Sequence, residues 1–210
     1  MGPVSLGCYT GLASNILPAV LEGMAKLHPK VKISIAVGDH SELLPQLKDG
    51  NLDTAIVYDI ALSSDLERRV IYKTEGMVVL AANDSLGQQD VDLAELATKP
   101  LIMLDTAPSK DYTELAFAQR GLKPTVGAIV PQIDLVRALV GRGLGYSLLM
   151  SRPNQVPVSS EGKGLVGRHL RPRAGQTSVV AVWPKEAVLT SRAQAVIEYA
   201  VEYLAALEIS

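Results

Sequence analysis

Cysteine is almost absent from this 210-residue chain, where Cys8 stands alone. One thiol excludes an internal disulfide and any multi-cysteine metal site, and an unpaired thiol suits a reducing compartment. Aromatic residues make up only 4%, with one tryptophan, one phenylalanine and seven tyrosines, which argues against a surface for stacking bases. No charge of one sign dominates. Twenty basic side chains face twenty-two acidic ones, for a formal net charge of −2, so the basic excess of a typical nucleic-acid domain is lacking. No apolar run approaches the ~18 residues of a membrane span. The opening residues, MGPVSLGCYTG, lack the basic and long apolar regions of a signal peptide. A cytoplasmic protein with no membrane partner is the expectation.

The chain that remains is globular in composition, 48% apolar and 20% charged, near the average for folded domains. Its length suits one to two domains. A chain this long buries about 70% of its unfolded surface, so no disulfide or metal staple is needed. Two periods alternate along it. Strands are expected over 4–9, 31–37, 53–58, 76–82, 101–104, 125–130, 145–149, 166–170 and 177–183. Helices are expected over 12–27, 41–48, 93–97, 109–120, 133–140 and 191–207, the first from the apolar stripe Leu12, Ile16, Leu17, Val20, Leu21, Met24 and Leu27. Pro29 ends that first helix, Gly121 suits a helix C-terminus, and Thr190 or Ser191 suits the cap of the last helix. The stretch 152–164 reads as a loop. Alternating strands and helices imply an α/β fold with largely parallel sheets. The β-α-β-α rhythm occurs twice, near 4–58 and 101–149, which suggests two lobes.

In parallel α/β sheets, ligands lie beyond the carboxyl ends of the strands. Those corners are Tyr9-Thr10-Gly11, Gly38-Asp39-His40-Ser41, Asp105-Thr106-Ala107-Pro108-Ser109 and Pro131-Gln132. Each precedes a helix, whose first N–H groups and positive dipole end favour a small anion. The corners carry hydroxyl and amide donors rather than catalytic groups, which suits binding. The plainer reading of Thr10, Ser41, Thr106 and Ser109 is that they are ordinary N-caps. Of the three histidines, His40 occupies a corner and is a candidate ligand contact, whereas His28 adjoins Pro29 and His169 lies on a strand among arginines. Cys8 alternates with Val4 and Leu6 as a core residue. The glycines at 141, 143 and 145 follow a helix and precede a strand, the reverse of a dinucleotide fingerprint. No G-x-S-x-G, phosphate-loop or H-E-x-x-H motif occurs. No catalytic residue, metal ligand or cofactor is therefore assigned. The runs Glu67-Arg68-Arg69 and 168–173 read as solvated edges, and Asp105, Asp111 and Glu114 as charges favoured near helix N-termini.

The order of motifs resembles the effector-binding domain of LysR-type transcriptional regulators. The residues that carry the likeness are Leu17-Pro18, Pro29-Lys30-Val31, Gly38 and the run LKDGNLDTAI from Leu47 to Ile56. Later signals follow in the same order: Pro100-Leu101-Ile102, Gly121-Leu122-Lys123-Pro124, Leu139-Val140 with Gly143-Leu144-Gly145, and Leu189-Thr190-Ser191 with Ala193. Each motif is loose alone, and their order and spacing together cover nearly the whole chain.

The resemblance implies an α/β fold of the type 2 periplasmic-binding-protein kind, two Rossmann-like lobes joined by two crossover strands near 78–82 and 179–183. Residues 1–80 with 181–210 would form lobe I and 81–180 lobe II. The effector would sit in the interlobe cleft. Position by position, the implied effector-binding residues are Tyr9, Thr10, Gly11 and Leu12, then Asp39, His40 and Ser41, then Tyr58 and Asp59 from lobe I. Lobe II would supply Thr106, Pro108, Ser109, Pro131 and Gln132. Some anion-binding members place threonines where this chain has Tyr9 and Gly11, so a sulfate-like effector is not expected. Asp39, Asp59 and Asp105 would make the rim acidic, which admits an amine, an amino acid or an uncharged polar group. Expected partners are a small-molecule effector (organic acid, amino acid or aromatic metabolite) and further copies of the chain in a dimer or tetramer. The first helix and second strand would join the copies, unless the helix stripe is wholly internal core. DNA would be met only through an N-terminal winged helix-turn-helix that does not precede Val4 here, and the fragment alone is expected not to bind operator DNA. Peroxide sensing needs a cysteine pair that one cysteine cannot provide. Two rivals remain: a solute-binding protein of the same fold for transport or chemoreception, and an enzyme, since fold does not fix function.

Overall fold

The computed structural model describes residues 2–152 and 158–206. Part of the expected 152–164 loop and the end of the last helix at Leu207 thus lie outside the described residues. Contacts divide the chain into two compact units, Met1–Lys73 with Thr177–Ser210, and Thr74–Gln176.

The first unit begins with β1 (Val4–Tyr9), α1 (Thr10–Leu27), β2 (Ile33–Gly38), α2 (His40–Lys48) and β3 (Thr54–Tyr58). β1 pairs in parallel with β2 on one side and β3 on the other. β1 and β3 are buried almost throughout, as strands covered on both faces must be. α1 buries the stripe Leu12, Ile16, Leu17, Val20 and Met24, and Pro18 stands exposed within it. Its end is marked by His28, whose N–H donates to the Met24 carbonyl just before Pro29. The unit is completed by β9 (Gln176–Pro184), antiparallel to β3, and α6 (Ser191–Ala206). The cap of α6 is Thr190, whose hydroxyl oxygen accepts from the Ala193 N–H at 3.2 Å.

The chain leaves this unit along β4 (Leu66–Ala81) and returns along β9, and both unit boundaries fall in these two strands. β4 is much longer than the 76–82 segment expected from sequence. Its first half carries exposed Glu67, Arg68, Arg69 and Val70, and such a charged run does not announce a strand.

In the second unit, β4 residues 75–79 pair antiparallel with β7 (Ser147–Ser151), and 77–81 pair antiparallel with β8 (Leu165–His169). β5 (Pro100–Leu104) and β6 (Thr125–Val130) form a parallel pair. Tyr146 joins β5 to the approach of β7, its N–H donating to Pro100 O and its carbonyl accepting from Ile102 N–H. The helices are α3 (Leu93–Leu96), α4 (Ser109–Ala118) and α5 (Ile133–Gly141). Alternate β4 side chains enter two cores, Val78 and Leu80 one and Val79 the other, as the two-residue period of a strand requires. The expectation of largely parallel sheets is therefore corrected to mixed ones. β4 and β9 carry the chain between units and must run against their neighbours. The α5-to-β7 turn is where Gly143 and Gly145 are needed. Both have positive φ, +76° and +156°, and a Cβ on Gly145 would lie 2.2 Å from Pro100 O.

Candidate functional site

Parallel register sets Tyr9 opposite Gly38, so α1 and α2 start side by side at the carboxyl ends of β1 and β2. Tyr9 is buried and meets two rings edge-on, His40 at 5.9 Å and Tyr58 at 5.1 Å between centroids. α2 is closed by a capping box. Asp39 Oδ1 accepts from Ser41 N–H at 2.8 Å, Glu42 N–H at 3.2 Å and Ser41 Oγ at 2.6 Å, while the Glu42 carboxylate accepts from Asp39 N–H at 3.0 Å. His40 is the first helical residue, 7% exposed, and its Nε2 is buried without a hydrogen-bond partner. Burial pushes the imidazole pKa down to about 4 against the opposing pull of Asp39, so the ring is neutral near pH 7. α1 has no side-chain cap. Thr10, its first residue, is half-buried, and its hydroxyl makes no hydrogen bond among the described residues. Gly11 and Leu12 are buried on the core side of α1. Tyr58 is buried, and Asp59 pairs with Arg68 at 2.7 Å.

The second unit repeats the layout with different chemistry. Asp105 N–H donates to Val130 O at 2.8 Å, so the loops after β5 and β6 run together and α4 and α5 start near one another. α4 follows Pro108 and α5 follows Gln132, and neither helix has a side-chain cap. Thr106, Pro108 and Ser109 are buried, the Ala107–Pro108 peptide is cis, and Pro131 and Gln132 are exposed. Asp105 pairs with Lys110 at 2.8 Å.

Two expectations change. Thr10, Ser41, Thr106 and Ser109 are not the N-caps. Thr10 and Ser109 each lie one residue inside their helix, Ser41 two inside, and Thr106 two before the Pro108 cap position. The acidic rim is also not free. Asp59 holds Arg68 and Asp105 holds Lys110, so these two are ion-paired, and the Asp39 carboxylate is committed to the start of α2.

Sequence reasoning did not find a cluster in the second unit. Glu75, 1% exposed, lies 2.9 Å from His169 Nδ1, outside good hydrogen-bond geometry, and 3.5 Å from Arg173 Nη1. The run 168–173 is a solvated edge only in its second half: Arg171, Pro172 and Arg173 are exposed, whereas Leu170 is buried and the half-buried Arg168 donates from Nε to Gly87 O. These partners are far apart in the chain, so no local spacing signals them. Cys8 is buried, its thiol pushed up to about 12 by burial, as a core residue.

A family model described as the LysR substrate binding domain matches residues 1–205. GltC of Bacillus subtilis, a transcriptional dual regulator, is 21% identical over 210 residues, covering 99% of this chain and 69% of that protein. The chain spans about half the length of other curated relatives it matches. The C-terminal domain of a probable LysR family regulator from Rhodococcus sp. RHA1 superposes with a TM-score of 0.88 at 35% identity, covering 95% of this chain and 98% of that one. The effector-binding domain of QuiR in complex with shikimate shares the fold, with a TM-score of 0.80 at 20% identity and 98% of each chain covered.

Proposed function

This chain belongs to the LysR substrate-binding-domain family, and from that premise we propose that the effector it senses is a small organic acid. The observation that carries this reading is the absence of side-chain caps on α1, α4 and α5 at the carboxyl ends of β1, β5 and β6. Backbone N–H groups and dipole ends there favour a carboxylate. Of the nearby aspartates, Asp59 and Asp105 are each paired with a cation and Asp39 is committed to capping α2, which lessens the opposing charge. Thr10, Gly11, Ser41, Thr106, Ser109 and Gln132 offer the polar contacts. Neutral His40 accepts or donates one hydrogen bond through Nε2. Tyr9, Tyr58, Leu12 and Pro108 shape the loops from behind, and Asp39, Asp59 and Pro131 hold the corners. The hydroxylated carboxylate bound by QuiR is of this class.

The effector acts only through its differential affinity for two arrangements of the regulator. The regulator is a cytoplasmic transcription factor that meets DNA through a domain outside this chain. Copies of the chain associate through the edge strand β2, where Ile35 and Val37 are exposed, and through α1, where Leu27 is exposed. Thermal-shift screening against organic acids, amino acids and aromatic amines, with native mass spectrometry for stoichiometry and oligomer mass, tests the reading. An acid at 100 times its Kd adds about 2.7 kcal/mol. Thr10→Ala and Ser109→Ala are expected to abolish that shift with unchanged circular dichroism. A shift retained in both variants, or one raised only by amines, overturns it.

A further inference from the structure

We propose that the second unit carries another small-molecule site, away from the strand-end loops, built for a small carboxylate with an apolar body. It is a cavity of about 200 Å³ between the C-terminal half of α4 and residues 173–175, lined by Tyr112, Leu115, Ala116, Gln119, Arg120 and Arg173 among others. That is room for roughly six waters at about 30 Å³ each, or one ring with a short acid arm. None of its lining residues belongs to the strand-end face.

Its charge is one-sided. Arg120 donates from Nη1 to Ala116 O and from Nη2 to Pro172 O, both at 3.0 Å, which fixes the guanidinium plane. Its Nε is buried without a partner, and no carboxylate reaches it within ion-pair distance among the described residues. A buried donor left without a partner calls for an acceptor. Arg173 has only a loose pairing, 3.5 Å to a Glu75 that also lies beside His169. One guanidinium thus has no carboxylate and the other is only loosely paired, and an incoming carboxylate completes the set through charge-assisted hydrogen bonds.

The rest of the wall suits an apolar body. Leu115 and Ala116 give aliphatic surface, and Tyr112 gives a ring pinned to β4. A Cβ on Gly76 would lie 2.4 Å from the Tyr112 hydroxyl, so only glycine lets the ring approach the strand so closely. Glu75 and Gly76 lie in β4, and 173–175 lead directly into β9. An occupant thus ties α4 to the segment entering one connecting strand and lies against a ring held by the other.

The test is a 15N–1H NMR titration of the 210-residue chain with phenylacetate, and with phenylacetamide as the uncharged control. Saturable shifts are expected at residues 112–120 and 173–175, with the amide binding at least about tenfold more weakly. Arg173→Gln is expected to weaken phenylacetate by about tenfold. Arg120→Gln is expected to do the same, with its spectrum confirming the fold. No saturable shift at these residues up to the solubility limit overturns the proposal. So does equal affinity for the amide, unchanged affinity in Arg173→Gln, or shifts confined to residues 9–12, 39–41 and 105–109.

Discussion

At the carboxyl ends of its parallel strands the first unit closes α2 with a complete capping box and packs Tyr9 edge-on to His40 and Tyr58. The second unit starts α4 and α5 behind Pro108 and Gln132 with no side-chain cap on either. The same β-α corner has been built two ways. The first face satisfies much of its own polarity, with Tyr9, Tyr58 and a neutral His40 packed beneath it, and leaves α1 without a side-chain cap.

Breaking the self-sufficiency of the first face has its largest effect through His40. The folded protein takes up a proton there only near pH 4, against 6.5 for the ordinary imidazole. Between those values the unfolded chain binds more protons, so stability falls as pH drops from about 6.5 to about 4 and levels off below. Above pH 6.5 the group is neutral in both states and contributes no slope. The loss amounts to about 3 kcal/mol at most. Urea unfolding of the wild type and His40→Gln across that range should show a difference that shrinks steadily toward low pH. A constant difference would mean that His40 titrates normally.

The capping box comes next. Asp39→Ala removes the acceptor for two N–H groups and one hydroxyl and should cost about 1 kcal/mol, within 0.5–2, read as a lowered urea midpoint. The smallest effect sharpens the contrast from the other side. Gln132 has φ −120° and ψ 126°, a conformation an N-cap residue adopts. Gln132→Asp should therefore cap α5 and raise stability by about 0.5–1 kcal/mol. The same change puts a negative charge at the terminus and should weaken binding of an organic acid. A thermal melt with and without ligand separates the two outcomes, and unchanged stability would mean that α5 is already capped.

Much of this fold was legible in the sequence because helix and strand periods are local. Val4, Leu6 and Cys8 alternate into the core as β1, and the seven-residue apolar stripe from Leu12 marks α1. The first half of β4 was not legible: its exposed Glu67, Arg68 and Arg69 hide a strand made by its neighbours. The strand-to-helix corners were legible in the sequence, but the partners of their charged side chains were not. Asp39, Asp59 and Asp105 look like an acidic rim until Ser41, Arg68 and Lys110 are seen beside them.

The residues alone determined the α/β alternation, the places where helices begin and end, and the order of motifs that marks the family. Tertiary structure decided which strands run antiparallel, which acids are neutralised, and that Glu75 meets Arg173 across 98 positions of chain. Backbone periodicity is written by residues a few places apart. Charge and hydrogen-bond pairing depends on groups that only the folded chain brings within a few ångströms.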